Sequence, residues 1–159
     1  MSIANSSKIG LVFLCGLLLM GRVGHTAMIK LSLDDIVRQS DTVVLGTVIH
    51  QESAWDTHYT AIHTDITVAV ERAIVGSPGD EVTFRVAGGT VGSMGMRTSN
   101  DPVFQNGERV IVCLNTTSVP ASVVGLQQGK FPVSDGTVVS ARETVRLEDF
   151  IAAIRSAAR

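Results

Sequence analysis

Three histidines fall within fourteen residues: His50, His58 and His63, with Glu52, Asp56 and Asp65 among them. Neutral imidazole suits zinc and copper, and neighbouring carboxylates add ligands or orient the rings. The chemistry would be metal binding or metal-assisted hydrolysis. The intervals of eight and five positions match no established motif, and H-E-x-x-H is absent. Solvated histidines on a polar loop and strand face are the ordinary reading of the same residues. The metal site at His50, His58 and His63 stands as the alternative.

A second group suits recognition rather than catalysis. Trp55 and Tyr59, the only Trp and the only Tyr, flank one short loop. Such rings bury large area while keeping a polar handle, which makes them interface anchors. Met94 and Met96 sit with Val91 in a glycine-rich stretch and would give an adaptable apolar contact. That stretch is no phosphate loop, since it lacks the Lys-Ser/Thr ending and no helix pattern follows it. No G-x-S-x-G elbow occurs, and Ser77 and Ser93 lie in turn-like sequence with no histidine nearby. The carboxylate pairs Asp34-Asp35 and Glu148-Asp149 fall at helix starts, and Asp80-Glu81 falls at a turn. No catalytic residue and no cofactor is expected.

These residues need a frame. Ser32 before Leu33-Asp34-Asp35-Ile36-Val37-Arg38 is a helix start, with Asp35 closing a variant of the capping box. Thr42 to His50 is rich in β-branched residues and reads as a strand. From Tyr59 to Arg72, Ile62, Thr64, Ile66, Val68 and Val70 share one face of a strand, with His63, Asp65, Thr67 and Glu71 on the other. Gly76-Ser77-Pro78-Gly79-Asp80 turns the chain into a third strand, Glu81–Ala87, making a hairpin. Residues 88–107, with their glycines, read as a long mobile loop. Strand patterns return at 108–114, 122–125, 130–133 and 137–140, with Asp135-Gly136 as a short hairpin turn. Leu147, Phe150, Ile151 and Ile154 then recur at helical spacing. The expectation is a mainly β fold: a small antiparallel β-barrel with a short N-terminal helix and a C-terminal amphipathic helix. A closed sheet removes the edges that recruit other chains.

Lys8 followed by the apolar run Ile9–Met20, with Thr26-Ala27 as a cleavage point, reads as an export signal over residues 1–27. Twelve residues rise only ~18 Å as a helix, against a hydrocarbon core of roughly 30 Å, so no stable membrane span is expected after cleavage. One domain would follow, residues 28–159. Lys8 and Arg22 leave with the signal, so 13 basic residues become 11 against 15 acidic ones, and the formal charge moves from −2 to −4. That balance argues against nucleic-acid binding, which needs a basic footprint. Cys113 alone remains of the two cysteines, so no internal disulfide can form, and its apolar run Val110–Leu114 marks it as a small buried hydrophobe.

Ser40 to Val48 (SDTVVLGTV), Val68-Ala69-Val70-Glu71-Arg72, Phe104-Gln105-Asn106-Gly107-Glu108-Arg109-Val110 and Gly125 to Phe131 (GLQQGKF) resemble a group of uncharacterised exported bacterial single-domain β proteins. The likeness covers nearly all of the mature chain. More remotely, the order of strands is similar to the OB-like barrel of tissue-inhibitor-of-metalloprotease and netrin-type domains. Those inhibitors use a cysteine at the mature N-terminus, where this chain has Met28, so none of their functional residues carries over.

The leading expectation is a secreted or periplasmic, non-enzymatic β-barrel domain. It would bind an extracytoplasmic protein or peptide through Trp55, Tyr59, Met94 and Met96. A purely structural role, with the C-terminal helix packed on the barrel, is the third reading.

Overall fold

A computed structural model describes residues 30–140 and 143–159. The export segment read at residues 1–27 lies outside them. The chain runs α1 (Leu33–Arg38), β1 (Thr42–Trp55), β2 (Ile62–Val75), β3 (Glu81–Ala87), β4 (Gly89–Val91), β5 (Met94–Met96), β6 (Arg109–Asn115) and β7 (Ser122–Val123). A 3-10 turn (Leu126–Gly129) leads into β8 (Lys130–Ser134), β9 (Thr137–Val139), β10 (Thr144–Arg146) and α2 (Leu147–Ala157). The fold is mainly β with two helices, as the sequence predicts.

Pairing in the large sheet closes on itself. β1 pairs antiparallel with both β2 and β6, and β2 with β3. β7 joins β3 in parallel through Arg85 and Ser122, and joins β6 in antiparallel. The order β1-β2-β3-β7-β6 therefore returns to β1 as a ring. From β6 the sheet continues outward through β8, β9 and β10.

Two cores follow from this arrangement. Val44, Val48, Ile66, Val68, Phe84, Val110, Val112 and Leu114 fill the inside of the ring. Val43, Leu45, Ile111 and Cys113 point the other way, toward Ile36 and Val37 of α1 and Phe150, Ile151 and Ile154 of α2. β1 and β6 are thus buried on both faces over these residues, which is why their sequences run apolar without alternating. β3 has one wet face and alternates cleanly. Among the described residues, no helix is long and apolar enough to cross a membrane.

Local chemistry sets the ends. Ser32 Oγ accepts the Asp35 amide at 3.1 Å while the Asp35 carboxylate accepts from Ser32, so the capping box is present. Asp135 and Gly136 both take positive φ in the β8–β9 turn, as the Asp-Gly signal requires. Gly46 lies so close to β2 that a Cβ there would overlap the Ala69 carbonyl oxygen.

Four features differ from the expectation. β1 runs to Trp55 rather than stopping at His50, because the ladder with β2 continues through the polar residues Gln51 to Ala54. β2 starts at Ile62 and ends at Val75, three residues later than its pattern suggests. Residues 88–107, expected to be one loop, carry the β4–β5 hairpin, and the short β10 is an additional strand.

Asp41, just before β1, ties the β6–β7 connection down. Its carboxylate accepts from the Thr116 amide (2.8 Å), the Thr116 hydroxyl (2.7 Å) and the Thr117 amide (3.0 Å). Partial desolvation pushes this carboxyl upward, and the hydrogen bonds from Thr116 and Thr117, with Thr42, outweigh it and leave the pKa lowered. A carboxyl whose folded pKa is depressed stabilises above its unfolded value near 4, and that stability is lost as pH falls through the folded value. The urea midpoint should therefore drop as pH is lowered below about 4. Asp41→Asn should lower the midpoint at pH 7 and flatten this acid limb; an unchanged limb would remove Asp41 from the account.

Candidate functional site

The β1–β2 hairpin ends in a tight turn that presents Tyr59. The Asp56 amide donates to the Ala61 carbonyl at 2.8 Å, and the Tyr59 amide to the Asp56 carbonyl at 3.1 Å. The Asp56 carboxylate accepts from both the amide and the hydroxyl of Thr60, each at 2.6 Å. The Thr60 hydroxyl and amide hold the Asp56 carboxyl below the usual carboxylate range, so the charged form closes the turn. Tyr59 takes a φ of 56° there and stands 77% exposed. Its ring centroid lies 6.5 Å from that of Trp55, tilted by 43°.

The β4–β5 hairpin is fastened to the same end of the ring. The Gly88 amide donates to the Ile62 carbonyl at 2.8 Å, and the Ile62 amide donates to Met96 Sδ at 3.5 Å. The Thr64 hydroxyl donates to the Gly88 carbonyl at 2.7 Å and lies 2.9 Å from the Ser53 hydroxyl. Gly89 sits directly over that pair, with φ +140°, and a Cβ there would overlap both hydroxyls. Only glycine fits this approach. Trp55 pairs with Ile62 across the ladder, so it shares a rung with the residue that holds Met96. Met94, next along the hairpin, is 58% exposed. Trp55, Tyr59, Met94 and Met96 thus lie on neighbouring, hydrogen-bonded segments at one end of the ring.

The histidines are spread along the hairpin instead. His50 pairs with Thr67, Glu52 with Asp65 and Ala54 with His63. His50 and His63 therefore stand four ladder positions apart, about 13 Å at 3.3 Å per residue. His58 is in the turn beyond them. Among the described residues, no three His, Cys, Asp or Glu side chains form a group that could hold a metal ion. His50 Nε2 is 3.9 Å from Glu52. Asp65 is taken up by Arg85 in a bidentate pair at 2.6 and 2.8 Å, which lowers the Asp65 pKa and raises that of Arg85. Glu71 is likewise held by Arg109 and by the Thr47 hydroxyl, and its pKa is lowered by the Arg109 hydrogen bonds first. The thiol of Cys113 is fully buried, and desolvation pushes its pKa up to about 12. It packs as a hydrophobe.

Two further features join residues distant in the sequence. Lys130 Nζ sits 2.7 Å from Glu108 Oε1, bonds the Val103 carbonyl and lies 4.6 Å from the Phe104 ring centroid. This largely buried pair clamps the segment before β6 onto β8. The second is an apolar groove of about 560 Å³, floored by Ile36, Phe131 and Phe150 and walled by Leu31, Leu33 and Val145. It opens where the helices meet the outer strands, away from the Trp55 turn. Compared with known proteins, the chain matches no family model, no curated protein and no solved structure.

Proposed function

We propose that the protein is an exported, non-enzymatic domain that binds an extracytoplasmic protein or peptide through the ring end carrying Trp55, Tyr59, Met94 and Met96. The observation that carries this reading is the exposed Tyr59 and Met94 on two braced segments beside Trp55. Aromatic and methionine side chains at a preorganised edge gain contact area with little ordering cost. An OB-like barrel is the frame we read here. A five-stranded closed circuit with β3 and β7 parallel supports it. Export to the periplasm or beyond is supported by Lys8, the run Ile9–Met20 and Thr26-Ala27. The net negative charge of the mature chain disfavours nucleic acid as the partner.

The test is an affinity comparison once the partner is captured. Trp55→Ala with Met94→Ala should weaken binding by at least about 30-fold, roughly 2 kcal/mol, as for interface anchors. Unchanged affinity in that double variant, with folding intact, would move the binding face elsewhere.

A further inference from the structure

The β4–β5 hairpin is a two-stranded sheet of its own, and β5 is its outer strand. Gly92 and Ser93 form a two-residue turn between Val91 and Met94, which face each other across it. The pair flanking such a turn exchanges both of its hydrogen bonds, and the next pair exchanges none. Thr90 and Gly95 are that next pair, so the N–H and C=O of Gly95 point away from β4. Neither group makes a hydrogen bond among the described residues. Gly95 is exposed, and all that a glycine can expose is main chain. Open edges are commonly blunted by lysine, proline or a bulge, whereas Met94-Gly95-Met96 carries none of these. Arg97 follows at the end of this edge, exposed and in no ion pair among the described residues. The acid of the adjacent turn, Asp56, is taken up by Thr60.

We propose that the partner is an extended peptide segment that adds a strand to β5 and carries a carboxylate opposite Arg97. This rests on the binding face given above and names how that face is used. A carbonyl of the peptide accepts from the Gly95 N–H and one of its amides donates to the Gly95 C=O, as in strand addition to an open sheet edge. Met94, exposed beside the same edge, offers contact to an apolar side chain of the peptide. Arg97 sets the sign, attracting an acidic segment and repelling a basic one. The glycine itself suits this use. A Cβ at Gly95 would meet only ordinary contacts, the nearest being Thr90 Oγ1 at 3.7 Å, and its φ is not positive. The hairpin therefore does not require glycine there, unlike at Gly89. A strand glycine that its own fold does not need marks a place where another backbone approaches closely.

The test selects linear heptapeptides from a random phage-displayed library on the chain as its host exports it, then measures the best binder as a synthetic peptide. Acidic sequences with no proline at their centre are expected, bound at least about tenfold more weakly by Arg97→Glu. Gly95→Pro removes the outward N–H and leaves a peptide carbonyl unpaired. It should weaken binding at least about tenfold while Tm stays within a few degrees, since proline is tolerated on an open edge. Should that variant melt early, NMR of the wild type decides: the Gly95 amide must exchange with solvent at least about tenfold more slowly when the peptide is bound. An unchanged exchange rate, or equal binding by wild type and a folded Gly95→Pro, overturns strand addition. If Trp55→Ala with Met94→Ala still loses the peptide in that case, the binding face itself stands; loss in neither variant puts the face elsewhere. Selection of basic or neutral peptides, or of none, would also overturn the proposal. A dimer by light scattering whose Gly95 amide is protected without peptide would replace the peptide with a second copy.

Discussion

Gly46→Ala is expected to abolish folding at 37 °C, with a loss of more than about 4 kcal/mol. β1 is the strand shared by the two neighbours that close the ring, and Gly46 pairs with Val70 on one side and Val110 on the other. A methyl group there overlaps the Ala69 carbonyl oxygen and comes within 2.6 Å of a Val68 methyl. Neither obstacle can rotate away. The first is backbone in a strand held by β1 and β3, and the second belongs to the fully buried core. Relief requires β2 to move away from β1, which breaks the longest ladder of the fold. Circular dichroism and thermal melting of the purified variant give the answer. A native-like melt within about 1 kcal/mol of wild type would mean the strands approach less closely than described.

Phe84→Ala carries the second large effect, about 3–5 kcal/mol as for other buried aromatic truncations. Phe84 is 1% exposed in the middle of β3 and faces the ring interior. Its ring meets Phe104 edge-on, with centroids 5.2 Å apart and planes at 65°. Phe104 belongs to the connection before β6, so this contact ties that connection to the inner core. Lys130, above the Phe104 ring, seals the outside of the same contact. Domains of this kind have roughly 5–15 kcal/mol in total, so the variant should be marginal. Urea unfolding measures it: the midpoint should fall sharply, with Phe104→Leu showing a smaller drop. A loss below about 1 kcal/mol for Phe84→Ala would place the ring's core elsewhere.

Much of the scaffold is legible in the sequence because local chemistry and the global fold agree. Ser32 and Asp35 cap α1, Asp135-Gly136 turns β8 into β9, and the Val82-Phe84-Val86 alternation describes a strand with one wet face. The unbroken run Val110–Leu114 correctly marks Cys113 as core, since the strand has protein on both sides.

The candidate site is legible only in part. Between Val48 and His50 the β1–β2 register slips, leaving Ile49 out of the ladder and 46% exposed. Before the slip, even-numbered residues of β1 such as Val44 and Val48 face inward. After it, Ser53 and Trp55 pair with the inward residues Thr64 and Ile62. Counting by twos through β1 therefore assigns Trp55 and His50 to the wrong faces, and the bulge has no signature in the sequence. The β4–β5 hairpin is hidden by its own glycines, which give no alternation to count. The groove and the Lys130–Glu108 clamp join residues distant in the chain, so no local spacing announces them.

The most direct measurement compares wild-type protein with Trp55→Ala/Tyr59→Ala/Met94→Ala in the native host, crosslinked in the exported fraction and quantified by mass spectrometry. One dominant protein or peptide is expected with the wild type at near-equal stoichiometry, and its loss from a triple variant that melts normally. Recovery of the same partner by both would contradict the binding face. Stoichiometric metal in the wild type, with no partner in either, would contradict the binding role itself.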